Sequence, residues 1–287
     1  MKVIVDQDTK VIVQGITGHQ GMFHSGEMVK FGTKVIGGTS PGKAGQKVNG
    51  IPVFDNVADI AHLEPEATMI SVAAPFVKDA AYEAIDAGLK VVYILTEHVP
   101  FHDSMEILYN ARRKGVRVLG PNGPGITRPG KCKIGIMPNT IFRKGDVAVA
   151  SRSGTLTYEI VNAITQKGMG ESTVIGLGGD PVPGMDFIEA LELFNADEET
   201  KKIVLVGEIG GSNEERAAEY IRKNVKKKVV AYIAGRSAPP GKRMGHAGAI
   251  IERGVGTAES KIKAFEEAGV KVAEYPIDIP GLLGGVR

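Results

Sequence analysis

From one end of the chain to the other, short β-branched runs alternate with longer amphipathic segments. Strand, helix, strand at this spacing implies parallel pairing, because the crossover helix carries the chain back to start the next strand in the same direction. The first series predicts strands at residues 11–14, 34–38, 68–72, 91–95 and 117–119, with helices at 75–88 and 101–114. A stretch rich in glycine and proline, Gly120 to Gly125 followed by Pro129, Gly130 and Pro138, breaks the pattern and reads as a linker. A second series comes after it, with strands at 147–150, 172–176, 203–207 and 229–233 and helices near 155–167, 186–194 and 213–224. Two α/β domains are expected, 1–122 and 123–287, in line with the length of 287 residues.

Glycine accounts for 38 residues, about 13% against a usual ~7%. With 43% hydrophobic residues and no low-complexity stretch, neither a collagen-like repeat nor disorder explains them, so they must sit at particular turns. The net charge of +2 supplies no overall field for nucleic acid or an anionic membrane. Cys132 is the one cysteine, so no internal disulfide and no CxxC pair can form, which suits a reducing compartment. Asp6 and Asp8 occupy the place where a signal peptide needs an apolar run, and no apolar stretch approaches the ~18 residues of a membrane span. A soluble protein of the cytoplasm, or of an organelle matrix, is expected.

Gly15-Ile-Thr-Gly18-His-Gln-Gly21 comes directly after the first strand and opens the first helix. Here a dinucleotide fold uses glycines for a tight turn and close backbone approach, with a helix N-terminus facing a pyrophosphate. The spacing is GxxGxxG rather than GxGxxG, which also describes a plain strand-to-helix turn. An NAD site needs a carboxylate about 20 positions on to hold the ribose hydroxyls. Between Glu27 and Asp55 there is none, while Lys30, Lys34, Lys43 and Lys47 fall in the same window. The turn Thr39-Ser-Pro-Gly-Lys43 places an ammonium there instead. That suits a 2′- or 3′-phosphorylated adenosine ligand, either NADP or coenzyme A, although Lys43 by itself would be a solvated loop cation.

In the second series, Ser151-Arg-Ser153-Gly154-Thr155 lies between a strand and a helix. Hydroxyls, a glycine and N–H groups at a helix start form an anion cradle, while N-capping accounts for Ser153 alone. His98 and His102 have the i,i+4 spacing of a metal pair, but Pro100 between them would begin a helix rather than sit inside one, so no metal site is expected. His62, among Ile60, Ala61 and Leu63, is expected to be packed or partly exposed. His246 is flanked by Gly245 and Gly248, with Arg236, Lys242 and Arg243 in the same loop. Such a histidine has the freedom to carry a transferred phosphoryl group whose charge those cations offset; standing alone it would be a surface residue. Glu208, in Gly207-Glu-Ile-Gly-Gly211, ends a predicted strand. A carboxylate there is placed to orient an imidazole, or more plainly to favour a helix start.

Together, Gly15-Ile-Thr-Gly-His-Gln-Gly21, Thr39-Ser-Pro-Gly-Lys-Ala-Gly45, Gly120-Pro-Asn-Gly-Pro-Gly125, Ser151-Arg-Ser-Gly-Thr-Leu-Thr-Tyr-Glu159 and Gly245-His-Ala-Gly-Ala249 resemble the α subunit of succinyl-CoA synthetase (succinate–CoA ligase), in order and over essentially the whole chain. The resemblance implies an α/β chain with a CoA-binding Rossmann-like domain at 1–122 and a flavodoxin-like ligase domain at 123–287. It also decides for CoA over NADP. By motif it implies that Thr17, Gly18, His19 and Gln20 hold CoA phosphates, that Lys43 meets the adenosine end, and that Leu95, Thr96 and Glu97 line the CoA site. Tyr158 matches a substrate-binding tyrosine, His246 the residue phosphorylated during turnover and Glu208 its orienting carboxylate; Ser153, Gly154 and Thr155 match the helix terminus that receives the phosphoryl group. Two positions depart from the commoner pattern: His19 stands where Ser is frequent, and Gly123 where a Cys or another small polar residue often stands.

The implied reaction makes succinyl-CoA in three steps as part of the citric acid cycle. Phosphoryl passes from a nucleoside triphosphate to His246 and then to a succinate carboxylate, and the CoA thiol displaces phosphate from the acyl phosphate. No GxxxxGKS or GxxxxGKT loop occurs in the chain. The resemblance puts the ATP-grasp site, with ATP or GTP and Mg²⁺, on a partner β subunit in an αβ or α₂β₂ assembly. Two other classes compete: a nicotinamide-dependent oxidoreductase, which leaves the His246 loop unexplained, and a non-catalytic CoA-binding regulator, for which His246 would be dispensable. An ATP-citrate lyase is expected to need a further domain.

Overall fold

The computed structural model describes residues 4–239, 241–251 and 254–284. They form two compact units, one of residues 4–139 with 182–184, the other of 140–181 with the described residues from 185 onward.

The first unit contains β1 (Lys10–Gln14), α1 (His19–Phe31), β2 (Lys34–Thr39), β3 (Lys47–Val48), β4 (Ile51–Phe54), α2 (Val57–Ile60), β5 (Ala67–Ile70), α3 (Val77–Asp86), β6 (Val91–Ile94), α4 (Phe101–Arg113), β7 (Arg117–Leu119), β8 (Gly125–Arg128) and β9 (Cys132–Gly135). Its sheet runs β3-β4-β2-β1-β5-β6-β7, parallel except for the β3/β4 pair. From β4 onward this is the 3-2-1-4-5-6 order of a dinucleotide-binding fold, with the order reversing between β1 and β5. Strands β5 and β6 are buried at every residue, as parallel strands covered on both faces must be. In α3, buried Val77, Ala81, Ala84 and Ile85 recur at helical spacing; in α4, Ser104, Ile107, Leu108 and Ala111 do the same. Both stripes close on Ile12, Ile70, Val92 and Ile94, and each aliphatic side chain so buried contributes about 1.5–3 kcal/mol.

Residues 120–138, expected as a linker, instead include the antiparallel hairpin β8/β9, buried at all eight strand positions. Gly125 and Gly135 face each other with φ of 99° and 135°, and a Cβ on Gly125 would stand 2.1 Å from the Ile134 oxygen. The glycines are there because two backbones touch, not because the chain is loose. The hairpin is fastened by Thr33, whose hydroxyl donates to the Lys133 carbonyl at 2.7 Å and accepts from its N–H at 2.9 Å.

The second unit contains β10 (Lys144–Ser151), α5 (Gly154–Gln166), β11 (Glu171–Gly176), α6 (Phe187–Ala196), β12 (Lys202–Glu208), α7 (Asn213–Asn224), β13 (Lys228–Ala234), α8 (Ala258–Glu267), β14 (Lys271–Ala273) and α9 (Ile279–Leu283). Its parallel strands lie in the order β11-β10-β12-β13-β14. That is the expected flavodoxin-like 2-1-3-4-5 order, which reverses between β10 and β12. Sequence spacing located four of these strands; β14, α8 and α9 were not anticipated. No helix among the described residues is long and apolar enough to cross a membrane.

Candidate functional site

Both units present chemistry where the strand order reverses, at the carboxyl ends of parallel strands. In the first, Gly15 leaves β1 with φ 81°, and a Cβ there would lie 2.5 Å from the Ser71 oxygen. Gly21, in the first turn of α1, is equally confined: its Cβ would be 2.3 Å from the Gly15 oxygen. Gly18 is the N-cap and no side chain caps α1, nor does any carboxylate occupy its first turn. The helix start therefore offers an anion unscreened N–H groups. Thr17 donates its hydroxyl to Ser40 Oγ at 2.9 Å and accepts from Lys43 Nζ at 3.2 Å. The two motifs read from sequence thus meet, with buried Ser40 as a member that sequence reasoning did not single out. His19 and Gln20 are exposed on the same turn, where Gln20 bonds His24 at 3.0 Å.

Asp55 returns to this turn by way of β4, but its carboxylate accepts the N–H groups of Lys43 and Ala44, both at 3.1 Å. It braces the lysine loop. A cavity of about 410 Å³ opens beside the turn, lined by Gln14, Gly15, Thr39, Val72, Phe76 and Glu83 among others. Leu95 and Thr96 are half-buried and Glu97 exposed beyond β6. Thr96 Oγ1 donates to the Val72 carbonyl at 2.6 Å, tying this segment to the cavity wall. Gly123, one of the two departures from the family pattern, accepts the Tyr93 hydroxyl through its carbonyl at 2.7 Å.

In the second unit, β10 and β12 are neighbours, so the turn leaving β10 meets the residue that ends β12. Ser153 caps α5, accepting from Leu156 N–H at 3.4 Å, with Gly154 and Thr155 in the first turn. Arg152 turns the other way, buried, its Nη2 3.2 Å from Glu208 Oε1 and its Nη1 3.0 Å from Glu214 Oε1. Glu208, at the end of β12, meets His246 Nδ1 with Oε2 at 2.8 Å. Gly179 allows the histidine in: a Cβ there would lie 2.3 Å from the ring. The Glu208 bond raises the His246 pKa above the usual imidazole value; burial and Arg152 oppose the rise, and Asp180 adds to it. With Nδ1 engaged by a carboxylate, Nε2 is the nitrogen left for chemistry.

The cation beside His246, expected from its own loop, comes from elsewhere, and the structure corrects this. Arg236 donates to the Ala273 carbonyl at 2.7 Å, and Lys242 and Arg243 are exposed. Among the described residues, the cation that faces the pair is Arg152, brought by the sheet order from a distant part of the sequence. Tyr158 lies in α5, half-buried, with its phenol pKa raised by burial, and no described hydrogen bond joins it to His246 or Glu208. His98 precedes α4 with φ 60° and His102 lies within it, so their helical i,i+4 spacing is not realised. His62 is exposed, resting edge-on against Phe54. The Cys132 thiol is buried, which pushes its pKa up to about 12 and leaves it unreactive.

These arrangements can be set beside known proteins. The CoA binding domain family matches residues 6–98, and the CoA-ligase family matches residues 150–271. Succinate–CoA ligase (ADP-forming) subunit alpha 2 of Archaeoglobus fulgidus is 53% identical over 287 residues, the whole of both chains. The corresponding alpha subunit of Staphylococcus aureus is 51% identical over 285 residues, 99% of this chain and 94% of that one. Among solved structures, Methanosaeta concilii ATP citrate lyase in complex with (3S)-citryl-CoA superposes with a TM-score of 0.90 at 25% identity, over 98% of this chain and 50% of that one. This chain thus spans half the length of that solved chain, but all of the Archaeoglobus subunit. Two domain families in the expected order, and more than half of all positions shared with an alpha subunit from end to end, place it: the chain belongs to the α-subunit family of succinate–CoA ligases.

Proposed function

We propose that this chain, with a nucleotide-binding β subunit, joins succinate to CoA through phosphorylated His246. The observation that carries the reading is the His246–Glu208 bond of 2.8 Å at the point where the second sheet reverses order. Glu208 holds the Nδ1 proton in its hydrogen bond, which leaves the lone pair on Nε2 to attack the terminal phosphorus of ATP or GTP and release the diphosphate. A succinate oxygen then takes the phosphoryl group, restoring the histidine. The CoA sulfur attacks the acyl carbon, and phosphate leaves. The nucleotide and its Mg²⁺ belong to the partner, an ATP-grasp subunit in an αβ or α₂β₂ assembly; the N-terminus of α5, with Ser153, Gly154 and Thr155, receives the phosphoryl charge. Tyr158 is assigned to the succinate.

We place CoA at the turn of the first unit, its phosphates over Thr17 to Gln20, its adenosine phosphate near Lys43 and its chain along Leu95 to Glu97. Glycines that admit no side chain, a helix start free of carboxylates and the Lys43–Thr17 contact all fit such a ligand. The functional division falls near residue 122: the CoA residues precede it and the phosphoryl residues lie beyond it. A buried, unreactive thiol agrees with a cytoplasmic or matrix protein. The test is incubation with the β subunit, Mg²⁺ and γ-labelled ATP or GTP, without succinate or CoA. Acid-labile label on His246 is expected, and succinate plus CoA should discharge it. An unlabelled chain refutes the proposal, as does robust ligase activity without the partner.

A further inference from the structure

We infer that Arg152 is a positioning residue for the phosphoryl acceptor: by bridging Glu208 and Glu214 it fixes the carboxylate that holds His246 Nδ1, and it keeps a cation facing the imidazole. The inference rests on the role proposed above for His246. Glu214 is the anchor. Its Oε1 accepts Arg152 Nη1 at 3.0 Å and the backbone N–H of Glu208 at 3.2 Å, so one carboxylate holds both the backbone of Glu208 and the guanidinium that steadies its side chain. Arg152 Nη1 also donates to the Gly210 carbonyl at 3.3 Å. The other oxygen of Glu214 is bound by Lys261, whose ammonium further donates to the Gly211 carbonyl at 3.0 Å and to Glu215 Oε2 at 3.1 Å. Glu214 and Lys261 side chains are 0% exposed, Arg152 10% and Glu208 8%.

The charges alternate along a buried line, Lys261, Glu214, Arg152, Glu208, and end at the imidazole. Each member is tolerable in the interior only while its neighbour is present. Glu208 Oε1 shows why Arg152 matters most. It is buried without an aligned hydrogen bond, and the Arg152 guanidinium is its charge partner at 3.2 Å. Without Arg152 that oxygen loses its charge partner, and the carboxylate gains freedom to turn away from Nδ1. Glycines stand where the line touches backbone: a Cβ on Gly207 would be 2.6 Å from Glu214, and one on Gly248 would be 3.1 Å from Arg152 Nη2.

Among the described residues, three charged groups face His246 from neighbouring strand ends: Glu208 from β12 and Asp180 from beyond β11 favour the imidazolium, and Arg152 from beyond β10 opposes it. Lys242 and Arg243, on its own loop, are exposed. Removing Arg152 takes away one group that opposes the imidazolium, but it also frees Glu208, whose bond to Nδ1 is the main cause of the raised pKa, so the reading that follows positioning is which ring nitrogen carries the proton. A ring released by the carboxylate, or one that accepts from a protonated Glu208, can carry its proton on Nε2. Either form blocks attack on phosphorus.

The experiment is a nitrogen-15 NMR titration of the His246 ring in the full chain, with circular dichroism and the unfolding temperature as the control for folding. In the parent protein the neutral limb should carry its proton on Nδ1. In Arg152→Gln the neutral limb should become a mixture of tautomers. Arg152→Lys should mix the tautomers as well, because an ammonium retains the charge without the two-pronged fork. Arg152→Gln with the parent tautomer overturns the inference. If that variant fails to fold, Arg152→Lys decides by the same reading, and an unchanged tautomer overturns it. A parent chain that titrates as described but takes no label from the β subunit and nucleotide removes the phosphoryl role and leaves the positioning intact.

Discussion

The glycine turn of the first unit and the Ser-Arg-Ser-Gly turn of the second occupy equivalent places, each leaving a parallel strand where its sheet reverses order. They are built by opposite means. The first is made by leaving side chains out: Gly15 and Gly21 have no room for a Cβ, and the charged groups at the turn, Lys43 and Asp55, are exposed or half-buried. The second is made by packing charge in, with Arg152, Glu208, Glu214 and Lys261 nearly or wholly removed from solvent. On the proposed function, the difference reflects what each must do. A site for a large anion that brings its own charge needs backbone N–H groups and space. A site whose own side chain changes covalent state needs its protonation held fixed by neighbours that do not move.

The largest effect should come from the acceptor itself. His246→Asn is expected to abolish phosphoryl label and lower turnover by a factor of about 10³ or more, while CoA affinity measured by calorimetry stays within about twofold. A loss of CoA binding on the same scale would erase the distinction between the two turns. In the parent protein the raised His246 pKa also sets a pH dependence. Nε2 accepts phosphorus only when the ring is neutral, so labelling should rise with pH and reach half its plateau above the ordinary imidazole value of ~6.5. A midpoint below that would mean that burial and Arg152 outweigh Glu208.

Next comes the backbone of the first turn. Gly15→Ala forces a side chain to a φ of 81° and against the Ser71 carbonyl. Strain and overpacking of this kind cost about 2–4 kcal/mol, so a lower unfolding temperature and a ~10- to 100-fold loss of CoA affinity are expected, with His246 still labelled in the complex. Unchanged CoA binding would show that close backbone approach is not how this turn works.

The same contrast between the two turns governs how much was legible in the sequence. Gly15 to Gly21 and Thr39 to Lys43 could be read because strand, glycines and helix are consecutive, and because Lys43 stands where a carboxylate is otherwise needed. Glu208 and His246 were readable one at a time, from a strand end and a glycine-flanked loop. Arg152 was visible within its motif but its partner was not, since β10 and β12 become neighbours only through the sheet order. Nearness along the chain pointed instead to Arg236, Lys242 and Arg243. The flavodoxin-like order that the resemblance implies was the signal that could have paired Arg152 with Glu208, because it sets the ends of the first and third strands side by side. Glu214 was not singled out, since an acid in the first turn of a helix such as α7 is ordinary, and nothing local marked Lys261 as buried. The hairpin at Gly125 and Gly135 was hidden for a related reason: glycine and proline punctuate a close crossing and a slack linker alike.

A smaller effect tests the charge that the first turn does carry. Lys43 is exposed, and its ammonium touches Thr17 at 3.2 Å. Lys43→Met should weaken CoA about tenfold at low salt, with less effect as salt screens the charge, and leave dephospho-CoA unaffected. Equal losses for both ligands would move Lys43 from the adenosine phosphate to the pyrophosphate.

The smallest expected effect separates capping from catalysis in the second turn. Ser153 Oγ accepts from Leu156 N–H at 3.4 Å, a long bond, and the Ser153 carbonyl is separately held by Ser151 Oγ at 2.8 Å. If the hydroxyl only caps α5, Ser153→Ala should cost no more than about 1 kcal/mol in chemical denaturation and slow labelling of His246 by less than about threefold. The helix N–H groups would then form the cradle, as those of α1 are proposed to do in the first unit. A tenfold or greater slowing with normal stability would mean that the hydroxyl itself reaches the phosphoryl group, and that the second turn, unlike the first, binds its anion with side chains as well as backbone.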